Sequence, residues 1–163
     1  ISGEGVTKLD SGRPIVVRRQ DAKLSLANFM RANLMSAMAT LAIGMEILTV
    51  DEKVEIDTLM GHGGFFKTPE VGQLILSAAT AVPVSVMASA GEGGPYGMAL
   101  LGAYLIWKEN GESLEDYLDN KVFASANRTT LMAPREDVTG FRRFLSTYVR
   151  ALDVERSAVA SVD

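Results

Sequence analysis

The chain has 163 residues, 47% hydrophobic and 22% charged, with a formal net charge of −4. That is enough apolar material for one folded domain, and the acidic balance argues against a general nucleic-acid binder or a polybasic membrane-surface protein. Cysteine is absent and His62 is the single histidine, which excludes disulfides, thiolate zinc sites, cysteine nucleophiles and any site built from two histidines, and suits a reducing cytoplasmic location.

In chain order, residues 1–23 read as an irregular opening segment punctuated by Gly3, Gly5, Gly12 and Pro14, with one short strand at Ile15-Val16-Val17. A long helix is expected over 25–48, capped by Ser25. It is apolar or small around almost its whole circumference, which predicts burial on several sides, with Met30, Met35, Met38 and Met45 as adaptable filler. The charge-free runs 32–45 and 93–107 are shorter than the ~18–20 residues that span a bilayer, so both read as buried core helices.

The stretch from Val54 to Lys108 carries the most information. Val54 to Met60 reads as a strand, and Gly61-His62-Gly63-Gly64 as a turn. Thr68 then caps a helix with Pro69 at its first position and Glu70 in its first turn, running to about Ala79. Pro83 to Met87 is a second strand and Gly91-Glu92-Gly93-Gly94 a second glycine turn, before a helix from Pro95 to about Lys108. This order predicts a parallel βαβ unit, hence an α/β fold. The remainder reads as helical. Ser113 to Asp116 resembles a capping box, and apolar residues at Val138, Phe141, Phe144, Leu145, Tyr148, Val149 and Leu152 define a last helix after Pro134, with a frayed tail at 154–163. Glu112, Glu115, Asp116 and Asp119 lack calcium-loop spacing and read as a solvated acidic face.

Each glycine turn follows a strand and precedes a helix, where backbone amides and helix N-termini converge in open α/β sheets. Glycine also lets main chain approach a ligand closely. The named phosphate motifs fail, however. The first turn lacks the third glycine of a dinucleotide fingerprint, and Phe66, not glycine, precedes Lys67. Glu70 beside the turn disfavours phosphate, so adenine or ribose suits it better. From spacing alone, the turn reads either as ligand-contacting or as structural punctuation, and His62 as a surface residue rather than a catalyst.

Gly63-Gly64-Phe65-Phe66-Lys67-Thr68-Pro69 followed by Gln73 resembles the adenosine-side motif of the FGGY family of carbohydrate kinases. Pro83-Val84-Ser85-Val86 resembles the family's next strand. Glu92 with Gly97-Met98-Ala99-Leu100-Leu101-Gly102-Ala103 resembles its glutamate and small-residue helix. Ile1-Ser2-Gly3-Glu4, Arg31-Ala32, Pro134 and Tyr148 fit further segments, so the likeness covers residues 1–152. Leu76-Ser77-Ala78-Ala79 departs from the pattern after the glutamine, and Phe65-Phe66 is bulkier than usual. The sequence GEGGPYGMALLGAY is most similar to the pentulose-kinase branch, the xylulose and ribulose kinases.

The resemblance implies an actin-like, ribonuclease-H-like ATPase fold, with residues 1–163 forming the C-terminal portion of the second, nucleotide-binding domain. It implies a parent enzyme that moves the γ-phosphoryl group of Mg²⁺-ATP to a ketopentose such as D-xylulose. The implied nucleotide-binding residues are Gly63, Gly64, Lys67 and Thr68. No catalytic or metal residue is assigned to this chain: the phosphate loops, the catalytic aspartate, most magnesium ligands and the sugar pocket belong to the rest of the parent, so the chain by itself is expected to be inactive. The implied partners are that remainder, ATP or ADP, the sugar and a second copy in a homodimer, with no nucleic acid and no membrane. The competing reading is a non-catalytic actin-like nucleotide-binding or assembly module.

Overall fold

A computed structural model describes residues 5–88, 91, 93–124 and 126–162. The segment Ile1 to Glu4 and Glu92, on which parts of the resemblance rest, lie outside the described residues. The chain divides into two compact units, one of Ile1–Ile56, Ile75–Ala81 and Ala133–Asp163, the other of Asp57–Leu74 and Val82–Met132.

In the first unit, α1 spans Leu26–Glu46 and continues as a π-helical turn through Ile47–Asp51. Ser25 caps it as its residue type requires: its backbone is extended, and its hydroxyl accepts the Asn28 amide at 3.2 Å. The whole helix, Leu26–Asp51, is by length and composition long and apolar enough to cross a membrane. This corrects a reading that counted only the charge-free run between Arg31 and Glu46. Its expected burial on several sides is not found either, because only Ala39 and Ala42 are buried. Ala42 lies in the core that α5, Arg135–Ser161, shares through Phe141. Ala42, Ala78, Ala133 and Phe141 form the core, with Met35, Met38, Val138 and Leu145 packed around it. Methionine as core filler is therefore correct for two of the four named. Arg31 pairs with Asp137 at 2.5 Å.

Two further expectations fail in this unit. Ile15-Val16-Val17 forms no strand: Val16 is 73% exposed, and the segment borders a groove with α1 and α5. The expected frayed tail is helical through Ser161. It is tied down from the opening segment, since Arg13 Nε donates to the Val162 carbonyl at 2.7 Å, and Arg156 donates to the Thr7 carbonyl at 3.0 Å. Ser77 lies in the stretch that departs from the family pattern. It is wholly buried, and its hydroxyl accepts the Ala133 amide at 2.9 Å, so the departure is a packing contact.

The second unit holds a three-stranded sheet in the order β1-β2-β3. β1 is Leu59–Gly61 and β2 is Val84–Met87, paired in parallel with Leu59 opposite Val84. The predicted βαβ unit is thus present, but β1 is only the last part of the strand expected over 54–60. α2, Val71–Thr80, is the crossover helix. β3, Arg128–Leu131, runs antiparallel to β2 and was not expected. Its sequence RTTL is too short and too polar to signal a strand, and its hydrogen bonds come from a neighbour more than forty residues away. Ser85 and Thr130 meet across that pairing at 2.7 Å.

α3, Gly93–Trp107, starts at Gly93 rather than Pro95. No residue of α3 is buried, so the expectation of a core helix is overturned. α4, Leu114–Tyr117, is capped by Ser113 as expected, its Oγ accepting the Asp116 amide at 3.0 Å, but the Asp116 carboxylate takes the Ser113 hydroxyl at 2.6 Å rather than the backbone amide that a full capping box would use.

Candidate functional site

β1 ends at Gly61, and residues 62–67 turn the chain toward α2. Each bulky side chain of this turn is packed against a glycine. A Cβ on Gly61 would lie 2.5 Å from the Phe66 ring, and one on Gly72 would lie 2.6 Å from the Phe65 carbonyl oxygen. A Cβ on Gly93, at the start of α3, would lie 2.6 Å from the Cβ of His62. Gly91 meets the Lys67 side chain more loosely, at 3.1 Å. Phe65 and Phe66 meet edge to face with centroids 5.5 Å apart. The bulk that departs from the family pattern thus buttresses the turn. The second glycine turn likewise accommodates the first.

Gly63 and Gly64 are the exceptions. Where a Cβ on either would project, nothing lies within 4 Å. Gly63 adopts φ +96° and ψ −177°, a region that only glycine occupies without strain. Their carbonyls accept the amides of Phe66 at 3.1 Å and Lys67 at 3.2 Å. A rigid turn therefore presents bare main chain to open space, which suits close approach by a flat ligand.

Beyond the turn, the expected capping changes. α2 begins at Val71, so Thr68 is not its cap; Thr68 is exposed in the preceding bend. Glu70 precedes the helix with φ +65°, and its carbonyl accepts the Leu74 amide at 2.8 Å. The Thr-Pro-Glu sequence favoured an earlier start, but the turn's packing holds these residues out of helical geometry. Lys67 is exposed. Gln73, read only as a family position, has a structural task. It is buried, and its amide donates to the carbonyls of Val84 and Thr129, each at 3.0 Å, tying the first turn of α2 to β2 and β3.

A pocket of about 840 Å³ lies at the same end of the parallel strands. Met60 and His62 follow from β1, Met87 ends β2, and Tyr96 and Leu100 come from α3. Asp119, Phe123 and Arg128 complete it from farther along the chain. This size is typical of small-molecule sites. His62 links the pocket to the glycine turn, whereas Gly63, Gly64, Lys67 and Thr68 do not line it. Sequence reasoning placed Asp119 on a solvated acidic face and gave Phe123 and Arg128 no role. No local spacing announces them, because the fold alone brings them to the strand ends.

The other acids have a structural explanation. Glu112 accepts from Lys121 and from the Glu109 amide at 2.8 Å, and Lys121 also reaches Glu109 at 2.8 Å. The Lys121 hydrogen bond holds the Glu112 carboxyl below the usual carboxylate range. Hydrogen bonds to Glu109 and Glu112 raise the Lys121 ammonium above its ordinary value. Among the described residues no three acidic or histidine side chains cluster to hold a metal.

Comparison with known families gives one clear result. The FGGY family of carbohydrate kinases, C-terminal domain, matches residues 1–106. A comparison with curated proteins found no match. The chain belongs to the FGGY family of carbohydrate kinases. The C-terminal domain of this family is actin-like, and its kinases use ATP. The mixed sheet among helices seen here accords with that domain.

Proposed function

We infer that this chain forms the adenosine-holding part of an ATP-dependent sugar kinase whose acceptor is a ketopentose, with D-xylulose the leading substrate. The observation that carries the reading is the buttressed glycine turn, with Gly63 in a glycine-only conformation and open space at Gly63 and Gly64. Their main chain approaches the adenosine, and Lys67 shields its edge. Thr68, freed from capping, is left to meet the base or ribose. The ketopentose rests on the sequence GEGGPYGMALLGAY and its likeness to the pentulose-kinase branch.

Phosphoryl transfer also needs positioned phosphates, a metal and a base for the acceptor hydroxyl. In this reading those groups come from the rest of the kinase, and this chain alone is inactive. Its task is to fix the nucleotide so that the γ-phosphoryl group meets the acceptor at reactive distance.

The test is sugar-dependent ADP release by the full-length kinase across D-xylulose, L-ribulose, D-ribulose, gluconate and glycerol. A dominant response to D-xylulose supports the reading, and a dominant response to glycerol or gluconate overturns the ketopentose assignment. Gly63→Val should raise the KM for ATP at least ~10-fold, because a branched Cβ both strains the backbone and fills the open space.

A further inference from the structure

The opening segment, α1 and α5 enclose a groove of about 600 Å³ within the first unit. That volume suits a small molecule. Its apolar walls include Ile15 from the opening segment, Phe29 and Ala37 from α1, and Tyr148 and Leu152 from α5. Asn33 and Thr147 also line it, and both already donate within their own helices, to the Phe29 and Arg143 carbonyls. Of the lining residues, Arg13 and Glu155 carry charge.

These two residues are joined through the main chain and not as an ion pair. The Arg13 amide donates to Glu155 Oε1. The Arg13 guanidinium is engaged elsewhere: Nε donates to the Val162 carbonyl at 2.7 Å, and Nη1 to the Gly12 carbonyl at 3.3 Å. Arg13 Nη2 and Glu155 Oε2 have no partner among the described residues. Glu155 is only 5% exposed. Every fully buried side-chain polar atom among the described residues is hydrogen-bonded, so the unpartnered Oε2 reaches the groove that Glu155 lines. A neutral glutamine would accept the Arg13 amide equally well. A carboxylate there holds a charge that burial disfavours and that no side chain pairs with.

A ligand for this groove needs an ammonium for Glu155, an anion for Arg13 and an apolar body beyond them. A lone amine would leave Arg13 facing a like charge, and a lone acid would do the same to Glu155. A sugar has neither charge. Leu152 lies one helical turn from Glu155 and Tyr148 two turns, ~10 Å along the axis, which is the length of one extended aromatic amino acid.

We propose that this groove binds a free apolar α-amino acid. Its ammonium donates to Glu155 Oε2, its carboxylate accepts from Arg13 Nη2, and its side chain lies against Ile15, Tyr148 and Leu152. The proposal is independent of the adenosine reading, because none of these residues belongs to the unit that holds the glycine turn.

The test uses the full-length kinase with L-phenylalanine as the probe, read by saturation-transfer NMR and calorimetry. 2-Phenylethylamine lacks the carboxylate, and 3-phenylpropionate lacks the ammonium. Each should bind about 10- to 100-fold more weakly, the range for a hydrogen bond to a charged group. Glu155→Gln keeps an acceptor for the Arg13 amide. It should weaken L-phenylalanine by a similar factor and close the gap to 3-phenylpropionate. Ala37→Phe fills the groove from an exposed helical position, where the fold tolerates it, and should abolish binding. That second variant keeps the test decisive if Glu155→Gln disturbs the packing around it. No binding of L-phenylalanine to the wild-type kinase would overturn the proposal. So would binding that Ala37→Phe leaves intact, or equal affinity for all three compounds.

Discussion

Helices α3 and α5 invert what composition alone suggests. α3, GGPYGMALLGAYLIW, has no charged residue, yet none of its residues is fully buried; Ile106 is 73% and Trp107 67% exposed. α5 carries charge along its whole length and yet supplies Phe141, Leu152 and Glu155 to the interior. An apolar stripe at helical spacing tells a helix which way to face, whereas apolarity all round gives no direction. Burial in this chain follows pattern and neighbours rather than hydrophobic content. The consequence for function is that α5 is the packed support of its own unit's core, whereas α3 lends residues to a pocket within the other unit.

That contrast can be broken by substitution. Phe141→Ala should cost the most, about 3–5 kcal/mol, since the ring is 1% exposed at the centre of the core; chemical denaturation would show it, and a loss under ~1 kcal/mol would mean that α5 is not the support described here. Gln73→Leu comes next, at about 1–3 kcal/mol, because it strips the Val84 and Thr129 carbonyls of a buried donor. The same denaturation series measures it, and Gln73→Glu should fail to rescue.

The Glu112–Lys121 contact gives a smaller effect, read from pH. Glu112 titrates lower folded than unfolded, so its contribution is present above the unfolded value and fades as pH falls through the folded one. Lys121 titrates higher folded, so its contribution is present below the unfolded value and is lost as pH rises through the folded one. Stability of wild type relative to Lys121→Met should therefore be greatest between the two titrations and shrink toward both acid and alkaline extremes; a flat difference would remove the contact from the account. The smallest effect belongs to α3. Ile106→Lys should change stability by no more than ~0.5 kcal/mol, as an exposed position allows. A large loss in the same denaturation assay would show α3 to be packed.

Much of this was legible in advance. Ser25 and Ser113 announced their helices, since an N-cap is settled within four residues. Val84–Met87 and the parallel partner before it followed from the strand–helix–strand order. The candidate turn was legible because Gly63 and Gly64 stand among bulky residues in a familiar succession. Thr68 misled, because a good capping residue was overruled by the packing of Phe65 and Phe66 just ahead of it. β3 stayed hidden because RTTL becomes a strand only by pairing with β2.

Local signals, read within a helical turn or two, were thus determined by the sequence itself: the caps at Ser25 and Ser113, the long helices, the crossover and a glycine turn after β1. Tertiary structure alone decided which glycine each side chain of that turn would press against, and that α3 would stay uncovered. It also brought Asp119 and Phe123 to the strand ends beside His62. The physical reason is distance along the chain: a cap is settled by neighbours a few residues away, but a pocket wall drawn from residues 60 and 123 exists only once folding has closed the loop between them.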